Sequence, residues 1–268
     1  MSAALRAVAE AAARAGGAVI QEALAQRDGA QPYRAKDAEG IDLLTTVDLA
    51  AEAAVRASLE ERSPGVPVLA EEGGGAASAS TRWIVDPIDG TTNFVHGFPA
   101  FCTSVALERD GVLVAGCVYD PVRDHAYAAH RGGGATCNGR PLRVSETPTL
   151  GQSLVLTGFA YDRRERPDFY LRYVREMLVQ AQGIRRAGAA ALDFCHIAAG
   201  RADGYWEFHL SPWDVAAGIL LVQEAGGRVT TLAQHPVRLD QPEILCTNGH
   251  IHAEMAAALT RLVESRDA

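Results

Sequence analysis

The chain has 268 residues, 48% of them hydrophobic and 22% charged, with a net charge of −8. This is the composition of a globular chain long enough to bury a substantial core, and its acidity argues against a nucleic-acid backbone as partner. An acidic protein that takes a phosphate ester needs metal ions or clustered N–H groups to overcome its own field.

Met1 to Gln26 is Ala-rich with scattered Arg and Glu, and it reads as an amphipathic first helix over residues 3–26 rather than a signal peptide. Asp28-Gly29 and Gln31-Pro32 break that helix, and a polar loop carries Lys36 to Gly40. Asp48 then opens an Ala- and Glu-rich helix running to about Arg62, where a carboxylate favours the helix dipole. A short strand, Val66 to Ala70, delivers Glu71 and Glu72, of which alternation lets at most one turn toward a site.

Trp83-Ile84-Val85 reads as the end of a buried strand, stopped by Pro87 between Asp86 and Asp89. Gly90 permits close backbone approach, and Thr91 and Thr92 are placed to cap a short helix whose free N–H groups point back at the acids. Carboxylates and anion-seeking N–H groups together make a phosphate site once divalent cations lie between them.

Phe101–Glu108 and Val112–Tyr119 read as strands joined by an Asp110-Gly111 hairpin turn, and Asp124–Arg131 continues an antiparallel meander. A second alternation of strands and helices begins at Ser153. Its first helix carries Tyr170, Tyr173, Val174, Met177 and Leu178 as a core stripe. Ile184–Ala187, Ala202–Phe208 and Ile244–Thr247 read as strands; Ala189–Ala199, Val215–Ala225 and a last segment read as helices. Asp214 sits in the first turn of its helix, and Gly226-Gly227 stops it.

Magnesium takes oxygen ligands from a few carboxylates plus substrate phosphate. Glu71, Asp86, Asp89 and Asp214 all fall at element ends, where side chains can converge on two ions. Asp86 is the natural bridge, because the Ile88 carbonyl and Asp89 follow it at once. The covalent chemistry of haloacid-dehalogenase phosphatases is excluded by spacing: their acids are two apart, whereas Asp86 and Asp89 are three apart with Pro87 between. No Ser-His-Asp arrangement, nucleophile elbow or Walker loop appears, and His96 reads as structural.

Trp83 through His96 resembles the first signature of the inositol monophosphatase family, and Trp213-Asp214-Val215-Ala216-Ala217-Gly218 with Gly226-Gly227 resembles its second. Arg185 to Ala191 and Gly200 to Tyr205 resemble its connecting segment. The resemblance implies an α+β fold, a layered αβαβα sandwich of the inositol monophosphatase/fructose-1,6-bisphosphatase type. One domain would span 1–268, with an N-terminal half to about 145 and a C-terminal half from about 146.

It implies Glu71, Asp86, the Ile88 carbonyl, Asp89 and Asp214 as ligands of two or three Mg2+ ions, and Asp48, Thr91 and Glu71 as the groups that place and activate a nucleophilic water. It implies Gly90 and Thr91 as the phosphate cradle, and Asp89, Glu207, Gly188 and Ala189 as substrate contacts. The implied activity is hydrolysis of inositol 1-phosphate or a related polyol monophosphate by direct attack of a metal-activated water, with lithium sensitivity and a homodimer. Histidinol-phosphate, fructose-1,6-bisphosphate and 3′-phosphoadenosine 5′-phosphate phosphatases share the ligands and stand as alternatives, as does a non-catalytic regulatory protein. Three departures from the family pattern, Ala70, the spacing of Lys36 from Asp42, and Ala189 where a hydroxyl is usual, touch substrate preference more than chemistry. Five widely spaced cysteines without a C-x-x-C, and no apolar run of about 18 residues, give a cytoplasmic expectation without a membrane or nucleic-acid partner.

Overall fold

The computed structural model describes residues 2–27, 29, 31–240 and 243–264. Asp28, one of the expected helix breakers, lies outside the described residues. Helix α1 spans Ser2–Ala25 and buries Ala9, Ala12, Ala13, Gly16, Gly17 and Ile20, a stripe at helical spacing made almost entirely of small residues. Those small residues let α1 lie close on its neighbours, since a Cβ on Gly17 would overlap the Tyr119 ring.

Strands β1 (Arg34–Ala35) and β2 (Leu43–Leu44) pair antiparallel, so the expected polar loop is a hairpin with Lys36 just past its first strand. Helix α2 (Thr46–Arg62) opens with a reciprocal capping box between Thr45 and Asp48. Strand β3 (Val68–Ala70) runs parallel to β5 (Thr81–Asp89) and antiparallel to β4 (Gly74–Gly75).

The strand expected to stop at the carboxylates instead bulges. The β5 ladder is regular to Asp86, skips Pro87, which has no N–H to give, and resumes with Asp89 opposite Cys102. Short helix α3 (Thr91–His96) follows, capped by Gly90 at φ 91°. Thr91 is its first residue, and neither Thr91 nor Thr92 caps it as the sequence suggests, because the left-handed Gly90 already makes the turn.

Strands β6 (Cys102–Arg109), β7 (Val112–Asp120), β8 (His125–His130), β9 (Ala135–Cys137) and β10 (Arg140–Pro141) complete the meander. Asp110 and Gly111 both take positive φ, as a tight hairpin requires. The resulting eight-stranded sheet runs β10-β9-β8-β7-β6-β5-β3-β4.

The second half contains β11 (Leu154–Thr157), α4 (Pro167–Gln180), β12 (Gly183–Arg185), α5 (Ala190–Ala198), β13 (Gly204–Phe208) and α6 (Pro212–Glu224). It ends with β14 (Arg228–Thr230), β15 (Glu243–Thr247) and α7 (His252–Glu264). Its five-stranded sheet has the order β12-β11-β13-β15-β14.

Period-two alternation decides the layers. In β5, Trp83 and Val85 pack toward α1 and α2, while Ile84 packs toward α5 and α6. In the second sheet Leu156, Tyr205 and Cys246 face the same α5/α6 layer, and Val155, Trp206 and Leu245 face α4 and α7. The stack is α1/α2, sheet, α5/α6, sheet, α4/α7, which is the αβαβα sandwich. The α4 stripe is narrower than its pattern suggests. Tyr170, Tyr173 and Met177 are buried, but Leu178 is 71% exposed, because this outer helix touches the molecule only along one edge.

Candidate active site

The strand ends and helix starts meet at one cleft between the two halves. Glu71 leaves β3, Asp86 and Asp89 stand on either side of the β5 bulge, and Asp214 is the third residue of α6. All four line a cavity of about 140 Å³ together with Ile88, Gly90, Thr91 and Thr92. Burial pushes the Asp86 carboxyl well up, and the charges of Glu71, Asp89 and Asp214 add to it. Asp214 is raised first by burial and then by Asp89, and Glu71 also by burial. Asp86 Oδ1 is fully enclosed and accepts no hydrogen bond among the described residues.

A buried, unpartnered carboxylate oxygen among like charges is costly unless a cation joins it. The donors are all oxygens, which fits a hard divalent ion. As they stand, no three acidic, His or Cys groups among the described residues are drawn together tightly enough to hold one. Lys36 Nζ instead sits against this set, 2.8 Å from Glu71 Oε1 and 2.6 Å from Glu72 Oε1. Both acids therefore turn to the same side. The strand ends at Ala70, so the alternation that would have separated them no longer applies.

Asp48 does not line the cavity but is tied to it. Its Oδ2 accepts from the Thr45 N–H at 2.8 Å and the Thr45 hydroxyl at 2.6 Å, while Oδ1 lies 3.0 Å from the Thr91 hydroxyl. That hydroxyl is also 3.0 Å from the Ile88 carbonyl, so its one proton has two acceptors to choose between. Asp48 is fully buried, which raises its carboxyl.

Asp89 joins the halves. Its Oδ1 accepts from the Ala190 N–H at 3.2 Å and its Oδ2 from the Ala191 N–H at 2.7 Å, both at the start of α5. Burial pushes Asp89 up to about 6 against those donors. Asn93 Nδ2 donates to the Ala187 carbonyl at 2.8 Å, holding the turn before α5 against α3. Gly188 at φ 87° and Ala190 line the cavity; Ala189, expected on the substrate wall, is 1% exposed and packs beneath it against Gly90.

Glu207, near the close of β13, lines the same cavity; it accepts a 2.6 Å hydrogen bond from the Tyr205 hydroxyl, and burial pushes its carboxyl up to about 7. Gly158 packs so tightly on this carboxylate that a Cβ there would overlap it. Phe159, Tyr161, Arg163, Arg186 and His209 also line the cavity, and none of them was given a site role from the sequence. They come from a 3-10 turn (Tyr161–Arg164) and from chain flanking α5 and α6, where no periodicity marks a site. The only sequence signal is the Arg185-Arg186 pair inside the connecting segment. His96, read as structural, is exposed and stands outside this cavity.

A model of the inositol monophosphatase family matches residues 1–265. The inositol-1-monophosphatase of Synechocystis sp. is 44% identical over 226 residues, which cover 81% of this chain and 77% of that protein. A Pseudomonas aeruginosa protein named Nus factor SuhB is 43% identical over 243 residues, covering 88% of this chain and 89% of its own. The solved structure of an inositol monophosphatase from Anabaena (Nostoc) sp. has a TM-score of 0.85 and 42% identity, covering 96% of this chain and 95% of that one. With the sandwich fold and the carboxylate cleft already in place, these matches show that the chain belongs to the inositol monophosphatase family, a family of generally metal-dependent phosphatases.

Proposed function

We propose that this chain hydrolyses inositol 1-phosphate or a related polyol monophosphate with magnesium, as one domain over 1–268 whose halves meet near residue 145. The observation that carries the reading is the enclosed, unpartnered Asp86 oxygen among Glu71, Asp89 and Asp214, beside the Gly90-Thr91 turn. Glu71, Asp86, the Ile88 carbonyl, Asp89 and Asp214 would hold two or three magnesium ions. When bound, the ions neutralise phosphate charge, lower the pKa of water and favour departure of the alcohol.

The chain's own groups do the rest. Thr91 and Asp48 form the proton path from the attacking water, with Thr45 fixing the Asp48 carboxylate and Glu71 assisting. The N–H groups of Gly90 and Thr91 begin α3, have no intrahelical acceptor and face the phosphate. Glu207, held by Tyr205, takes the hydroxyls of the leaving polyol, and Gly188 and Asp89 form the adjoining wall. The family likeness also supports lithium inhibition, a homodimer and a cytoplasmic setting. Among the described residues no helix is long and apolar enough to cross a membrane.

A substrate panel with magnesium tests this. Release of phosphate from inositol 1-phosphate above other esters is expected, and strong preference for histidinol phosphate would overturn the substrate. The likeness to a protein named a Nus factor favours a second reading, a regulatory binding role without turnover. Failure to release phosphate from any ester with any divalent metal would favour that role.

A further inference from the structure

Helix α2 carries a second buried acid besides Asp48. Glu52 follows Asp48 by four residues, so the two carboxylates share one helix face, and it is only 5% exposed. Asp48 turns toward Thr91, whereas Glu52 turns toward the backbone just past Glu71. Its Oε2 accepts from the Glu72 N–H at 3.0 Å, and both of its oxygens accept from the Gly73 N–H, at 3.1 and 3.2 Å.

Arg56, one turn further along α2, completes the hold. Its Nε donates to Glu52 Oε1 at 2.7 Å and its Nη2 to the Gly74 carbonyl at 3.1 Å. On the other side the Glu71 N–H donates to the Val85 carbonyl at 3.2 Å, one residue before Asp86. The backbone around Glu71 is therefore tied to β5 through one peptide and to α2 through the next two. Position 73 has no room for a side chain, since a Cβ there would overlap Glu52 Oε1 and crowd the Arg56 head.

Burying a carboxylate costs free energy that an apolar residue at the same place on α2 would not incur. What the acid provides is direction: its two oxygens fix the peptide planes that follow Glu71, and so the point from which that side chain departs. One face of α2 thereby fixes two groups of the cleft, Asp48 directly and Glu71 through its backbone.

We propose that Glu52 is a positioning residue for magnesium binding: together with Arg56 it holds the peptides of Glu72 and Gly73 so that the Glu71 carboxylate meets an ion beside Asp86. This rests on the phosphatase reading, in which Glu71 and Asp86 are metal ligands.

Calorimetric titration of magnesium into metal-free protein tests it, read beside the magnesium dependence of phosphate release from inositol 1-phosphate. In E52Q one accepting oxygen becomes an amide that donates, set against N–H groups that also donate. Magnesium should bind about 10- to 100-fold more weakly, the scale of losing a group that orients a metal ligand, while kcat at saturating magnesium stays near the wild-type value. G73A keeps every charge and disturbs the same contact from the other side, so it should weaken magnesium by about 10-fold as well. L59A removes a buried apolar side chain about two turns along α2. It lowers stability but should leave magnesium affinity within about 2-fold of wild type.

Unchanged magnesium binding in E52Q would overturn the proposal. So would weakening in E52Q while G73A binds as the wild type does, which is a loss of charge and not of position, or equal weakening in L59A. Should E52Q not fold, G73A against L59A decides. Each of these failures leaves the phosphatase reading standing as long as the wild type binds magnesium and releases phosphate; a wild type that binds no magnesium overturns both.

Discussion

In one group of cleft residues Asp86 and Asp89 are buried and Asp214 is half-buried; they hang from a strand bulge and a helix start, and Asp89 and Asp214 accept backbone N–H groups. In the other, Arg163 and Arg186 line the same cavity from a 3-10 turn and an exposed segment, positioned by a ring, a glycine and one carbonyl. On the proposed reading the first group carries the reaction, so a change there should lower turnover of every ester. The second is set by side-chain packing, so on the same reading a change there should alter which alcohol is accepted while the reacting groups keep their geometry. On that reading the contrast separates the reaction from its selectivity within one cavity.

The sharpest way to break that contrast is D86N. Loss of the enclosed charge should lower kcat by about 10³-fold or more for every ester, the scale of removing a central transition-state group, while circular dichroism stays native. Wild-type-like turnover with magnesium would sink the assignment. T91A comes next. Without the hydroxyl between Asp48 and the Ile88 carbonyl, kcat should fall about 10²-fold, as expected for a general-base path, again for all substrates alike. E207Q belongs to the selective end. The ratio of inositol 1-phosphate to p-nitrophenyl phosphate kcat/KM should drop about 10-fold, and an equal loss on both would move Glu207 to the reacting end.

The smallest effect is on stability. Asp89, raised to about 6, and Glu207, raised to about 7, lie above their unfolded values. The folded chain therefore binds more protons than the unfolded one between about pH 4 and those values, and stability falls as pH rises through that window. Metal-free protein should melt about 5 °C higher at pH 5.5 than at pH 8, and magnesium should flatten the difference. A metal-free Tm that rises with pH would contradict the burial of these acids.

The carboxylate end was legible because its residues are contiguous or sit at marked boundaries. Asp86-Pro87-Ile88-Asp89-Gly90-Thr91 carries its own stop signals, and Asp48 and Asp214 each occupy the third position of a capped helix. What was missed depends on tertiary packing. The bulge at Pro87 needs a partner strand to define it, and Glu72 turns beside Glu71 only because the strand ends first. Leu178 fits a helical stripe, yet α4 lies at the surface and covers only three of its five residues fully. Arg163 and Arg186, 23 positions apart by their numbering, share no pattern and meet only through the turn before α5.

Asp89 also governs the order in which the molecule can be made. Its carboxylate accepts N–H groups from residues 101 and 102 positions later, so during synthesis it lacks these protein partners until α5 has emerged. The same closure brings the Trp213 carbonyl to the Ser104 hydroxyl at 3.3 Å, a contact spanning 109 positions. Loop closures of that length come late in folding. A refolding chain should therefore regain helical signal before it regains phosphatase activity, and the return of activity marks the moment at which the first sheet and α5 lock together.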